Sequence, residues 1–113
     1  MEKEKEKEKN SEYYCLIFEG EYLNGLKNGK GKEYNYRGQL KFIGEYLNGK
    51  RNGKGIEFND FHKIKFKGEY LNGLKWNGKG YNNHNNIVYE LKNGKGYIID
   101  YYNNGKLYLK VNI

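Results

Sequence analysis

Proline, alanine and threonine are absent from this 113-residue chain, and cysteine, serine and tryptophan occur once each. The lone Cys15 excludes an internal disulfide, so nothing argues for an oxidising compartment. It stands between Tyr14 and Leu16, with no histidine or basic residue adjoining to lower its pKa, and reads as a structural thiol on a strand. The lone Ser11 leaves no serine triad to assemble. His62 and His84 fall in turn regions far apart, without metal-ligand spacing, so no metal and no cofactor are expected. No apolar run approaches the roughly 18 residues of a membrane span. The N-terminus alternates Glu and Lys, unlike a signal peptide, and the expected location is cytoplasmic. Without alanine, with frequent glycine and with no apolar stripe at helical spacing, helix is a poor competitor.

Rings and glycine fill the space these absences leave. Tyrosine (13) and phenylalanine (5) supply most of the apolar surface, beside 16 glycines. Such rings bury large areas while keeping a polar tip at water, which suits a thin structure rather than a compact aliphatic core. The net charge is +7. Residues 1–9 hold four Lys and four Glu, so the excess lies in residues 10–113 and favours acidic partners as well as solubility.

The hexapeptide GEYLNG occurs at Gly20–Gly25, Gly44–Gly49 and Gly68–Gly73, a period of 24 residues. Units run over 18–41, 42–65 and 66–87, with a degenerate fourth at 88–110. The third gains Trp76 in its loop. A period of roughly 20 to 50 residues signals a linear array. Each unit reads as a β-hairpin: a strand with Phe18, Gly20 and Tyr22 on one face, an Asn/Gly-rich loop LNGLKNGKG, and a second strand through Tyr34 and Tyr36. A register with Leu23 opposite Gly31, Gly20 opposite Tyr34 and Phe18 opposite Tyr36 collects the rings on one face and covers bare glycine with a ring. The predicted fold is all-β: an elongated single-layer antiparallel sheet of tandem hairpins over residues 12–113. Segment 13–18 serves as an added first strand or cap. Residues 1–11 read as a solvated charged tail, because like and opposite charge pairs cancel at helical spacing.

The segments FEGEYLNGLKNGKGKEY and FIGEYLNGKRNGKGIEF resemble the MORN repeat (membrane occupation and recognition nexus), whose pattern recurs every 23 to 24 residues. The resemblance covers 18–81 well and 88–107 loosely. The family's GEW tryptophan is Tyr22, Tyr46 and Tyr70 here, and its HG before GxG is Asn-Gly. The resemblance implies an array of hairpins used for scaffolding, dimerisation or membrane apposition. Choline-binding repeats are also aromatic hairpins, but they cage their ligand with paired tryptophans, and this chain has one.

Two surfaces are candidates. The aromatic face comprises Phe18, Tyr22, Tyr34, Tyr36, Phe42, Tyr46, Phe58, Phe66 and Tyr70; a single layer leaves such a face open to a partner. The second is a basic edge of Lys27, Lys30, Lys50, Arg51, Lys54, Lys75, Lys79 and Lys95, suited to anionic lipid or to guarding the edge from aggregation. The GxG pieces lack the helix that a phosphate loop requires. The repeated Glu21, Glu45 and Glu69 do not converge on a cleft. The expected function is therefore non-enzymatic: protein interaction or scaffolding through the aromatic face, with anionic phospholipid at the basic edge as the alternative. Nucleic acid is disfavoured by the interleaved Glu, and an open edge permits a homodimer.

Overall fold

Asn-Gly between two alternating segments is the strongest short hairpin signal, because both residues accept the positive φ of a type I′ turn. The computed structural model turns the chain at such a pair four times: Asn24-Gly25 (φ 52° and 77°), Asn48-Gly49, Asn72-Gly73 and Asn93-Gly94. It describes the backbone of residues 2–10, 13–101 and 107–112, and the side chains of 3–5 and 17–96. The Asn104-Gly105 pair lies outside the described residues.

Ten strands result: β1 (Glu2–Asn10), β2 (Tyr13–Leu23), β3 (Leu26–Tyr34), β4 (Leu40–Leu47), β5 (Lys50–Phe58), β6 (Ile64–Leu71), β7 (Leu74–Tyr81), β8 (Ile87–Lys92), β9 (Lys95–Tyr101) and β10 (Leu107–Asn112). They form one antiparallel sheet in sequence order, in a molecule of 47 × 31 × 17 Å. The described residues contain no helix.

The hairpins are tighter than the sequence suggests. The expected loop LNGLKNGKG is a two-residue turn, and β3 already begins at Leu26. The later glycine of that stretch, Gly29, has φ 100° and belongs to a bulge. The expected register is corrected accordingly. Leu23 pairs with Leu26, Gly20 with Gly31, and Phe18 with Glu33. Glycine thus opposes glycine, and the row continues through Gly31–Gly44, Gly44–Gly55, Gly55–Gly68 and Gly68–Gly78.

Between hairpins the chain turns at residues 35–39, 59–63 and 82–86. Each turn opens with an asparagine whose Oδ1 accepts two backbone N–H groups. Asn35 takes those of Arg37 (2.9 Å) and Gln39 (3.0 Å); Asn59 and Asn82 repeat the pattern two and four residues on.

The charged tail is corrected as well: Glu2–Asn10 is strand β1. Alternation has the period of a strand, and β2 supplies the partners that a lone segment lacks. Lys3 and Lys5 fall opposite Glu21 and Glu19, with Lys5 Nζ 3.4 Å from Glu19 Oε2. Segment 13–18 continues β2 to meet β1 rather than forming a strand of its own.

Candidate functional site

A phenyl ring lying over a glycine pair removes both its own surface and the bare backbone from water. Phe18, Phe42 and Phe66 do this and are at most 1% exposed; Tyr22, Tyr46 and Tyr70 are at most 7% exposed. A Cβ built on Gly44 or Gly55 would stand 2.6 Å from Phe42 Cζ. The rings meet edge to face along the sheet: Tyr22 to Phe18 at 5.7 Å, Phe18 to Tyr46 at 5.3 Å, Phe42 to Tyr70 at 5.2 Å. Tyr89 stacks on Phe66 at the end of the line. Six of the nine residues of the expected aromatic surface are therefore the core. Tyr34 and Phe58 are half-buried near strand ends, and Tyr36 is 60% exposed in the first inter-hairpin turn, away from the ring row.

The outer side of the rings is roofed by charge. Lys27 Nζ stands 4.2 Å from the Phe18 centroid, Arg51 Cζ 3.9 Å from that of Phe42, and Lys75 Nζ 5.0 Å from that of Phe66. Glu33 and Glu57 lie among these cations. Arg51 Nε donates to Glu33 Oε2 at 2.8 Å, the Tyr46 hydroxyl donates to the same oxygen at 2.5 Å, and Arg51 Nη1 is 3.7 Å from Glu57. Lys75 Nζ is 3.1 Å from Glu57 Oε2. Burial works against ionisation of Glu33, but hydrogen bonds from Arg51 and Tyr46 hold its carboxyl below the usual range. Burial and the neighbouring Glu33 push Tyr46 above the ordinary phenol range; burial and Glu57 do the same to Tyr70. Arg51 forks between two carboxylates, whereas the point charge of Lys75 serves one, and the Tyr70 hydroxyl has no hydrogen-bond partner among the described residues.

The expected basic edge is dispersed by the same register. Lys27, Arg51 and Lys75 cover the rings. Lys30, Lys54 and Lys79 point to the other face, opposite Glu45, Glu69 and Glu90. Only Lys50 and Lys95 flank Asn-Gly turns. A two-residue turn makes LKNGK part of a strand, so its lysines alternate between faces. The glutamates of GEYLNG have a local task that the sequence does not show. Glu21 Oε1 accepts the Lys30 N–H and Glu45 Oε1 accepts the Lys54 N–H, both at 2.8 Å, where the bulge interrupts the ladder.

The face away from the rings holds a groove of about 640 Å³ across β1–β5. Its floor is the cross-strand pair Ile43–Ile56 and the backs of the paired glycines; Lys32, Glu45 and Lys54 stand among its walls. The described residues offer no grouping of His, Cys, Asp and Glu that would hold a metal ion. A third feature is the row of Asn-Gly turns. Successive turns are tied by backbone bonds from Gly49 to Lys27, Gly73 to Arg51 and Gly94 to Trp76, at 2.8–2.9 Å. Beside them Leu23, Leu26, Leu47, Leu71 and Leu74 are exposed, Leu74 by 70%. The leucines of LNGL carry the only sequence signal for this row, and face assignment requires the turn length first.

Residues 18–40 and 42–60 match the family model of the MORN repeat. No curated protein and no solved structure matches the chain.

Proposed function

The chain is a MORN-repeat protein, and on that premise we propose that it is a non-enzymatic protein-interaction module that receives its partner in the groove opposite the rings. MORN repeats are interaction modules rather than typically catalytic ones. One contrast carries the choice of face: the core rings are buried under their own cations, while Ile43 and Ile56 line an open groove with both charge signs around them. The rings then serve as the rigid backing of the contact surface. The expected aromatic contact surface gives way to this one, because a ring less than a tenth exposed presents no area to a partner. We place the module in the cytoplasm. The test is photo-crosslinking in cells, with a photoreactive side chain at position 56 or at position 36. A protein adduct from position 56, absent from position 36 and lost with Ile43→Lys, supports the groove. Adducts from position 36 alone remove it.

The leucine row supports a second reading. Five exposed leucines with Lys50, Lys92 and Lys95 along the joined row of Asn-Gly turns suit contact with an anionic phospholipid surface. Liposome flotation separates this from the groove. Binding to anionic but not neutral vesicles, weakened by salt and by Leu71→Asn with Leu74→Asn, supports the edge. Flotation unchanged in that variant overturns it.

A further inference from the structure

We propose that the outer edge of β1 is a docking strand for an extended segment of another protein whose acidic and basic residues alternate, and that this edge is closed to a second copy of the chain. β1 ends the sheet, paired with β2 on one side only. It holds nine residues without glycine or proline. The register shift in this pair skips Ile17 of β2, so β1 itself runs uninterrupted. A long regular edge of this kind offers unpaired N–H and C=O groups that recruit a further strand unless something prevents it.

Its charge pattern decides which strand. The register sets Glu2, Glu4 and Glu6 opposite Tyr22, Gly20 and Phe18, and sets Lys3 and Lys5 opposite Glu21 and Glu19. Glu positions thus share the face of the rings and Lys positions share the face of the groove. Two copies joining edge to edge as a closed dimer pair antiparallel about a two-fold axis normal to the sheet. That axis leaves each face where it was, and residues opposed across a ladder share a face. Every opposed pair of charged residues is then Glu against Glu or Lys against Lys, which repel. A free segment is under no such symmetry. It turns its basic positions to the Glu face and its acidic positions to the Lys face. The far edge of a second copy is no substitute, because β10 (LYLKVN) carries a single charged residue, Lys110.

The test uses the full chain and two labelled peptides of identical composition, one alternating Lys and Glu, the other with all Lys before all Glu. Fluorescence anisotropy at low salt is expected to show the alternating peptide bound about tenfold tighter, a difference that high salt abolishes. The double variant K7E/E8K conserves net charge and leaves Lys3 and Lys5 over Glu21 and Glu19. In a pairing centred on Glu6 it makes position 8 complementary to Glu4, and position 7 complementary to Lys5. Sedimentation equilibrium is expected to show a monomeric wild type and a dimeric variant. Equal binding of the two peptides overturns the proposal, as does a wild-type dimer with protected β1 amides. A variant that keeps its sheet signal in circular dichroism yet stays monomeric does so too. If the variant loses that signal, the peptide comparison on the wild type decides alone.

Discussion

Each buried phenylalanine of the repeat depends on residues with no side chain at all. A methyl group at Gly44 would meet Lys54 O and Phe42 Cζ at 2.6 Å each, and the backbone contact has no rotamer to yield. Gly44→Ala is therefore expected to lower stability by about 1–3 kcal/mol in urea unfolding, against less than about 0.5 kcal/mol for the exposed Lys54→Ala. Lys75→Arg should stabilise by about 0.5–1.5 kcal/mol, because a guanidinium there can give Glu57 and the unpartnered Tyr70 hydroxyl the arrangement that Arg51 makes with Glu33 and Tyr46. Glu33 gives a pH signature. Its folded pKa lies below its unfolded value, so the stability it contributes is present above the ordinary carboxylate range and is lost as acid carries the pH through the folded pKa. Arg51→Met removes the cation but not the burial. Tyr46 and Lys27 still lower the folded pKa of Glu33, which rises toward the unfolded value, so less of its contribution is lost on acidification. Thermal midpoints measured from neutral pH to pH 4 check that the variant loses less of its stability with acid than the wild type does. That these rings share one face was legible in the sequence, since Phe18, Phe42 and Phe66 recur with the period; that they form the core was not. Their cationic cover was not, because the face of Lys27 depends on where the turn closes.

Hairpins are what the sequence announces most plainly, and turn length is what it hides. Both Asn-Gly pairs of LNGLKNG look like turns, yet only the first has positive φ at both residues. Choosing the second, or spreading the turn over all nine residues, moves the register and sends every later side chain to a different neighbour. The glycine row, the Lys–Glu pairs of the groove face and the bulge-capping glutamates all followed from that one geometric fact. Gly49 sits at φ 85°, where a Cβ is strained. Gly49→Ala is expected to destabilise by about 1–2 kcal/mol. Asn48→Gly at the neighbouring position should be tolerated, and chemical denaturation of the pair compares them directly. The β1 strand was missed for a related reason. A test of helical pairs within one segment says nothing about partners that only β2 provides.

Among the described residues no strand packs beneath another layer, so each strand pairs only with its neighbours in sequence, and side-chain contacts such as Arg51–Glu33 reach one strand further. Such an array is expected to open from its ends. Amide exchange should be slowest in β4, β5 and β6 and fastest in β1 and β10, and uniform protection across the ten strands would contradict that. The third hairpin shows how the array tolerates error. Trp76 adds a residue to β7, and the pairing answers by joining Gly68 to Gly78 instead of to Gly80, with Tyr70 still opposite Lys75. Phe66 and Tyr70 remain in the core beyond it. In terms of inheritance, a gain or loss of 24 residues leaves every face in place. A gain of one residue inverts a strand unless it falls in the bulge. The bulge is thus the copying-error margin of this architecture, the place where a lineage of such chains has room to drift in length while the rings stay inside.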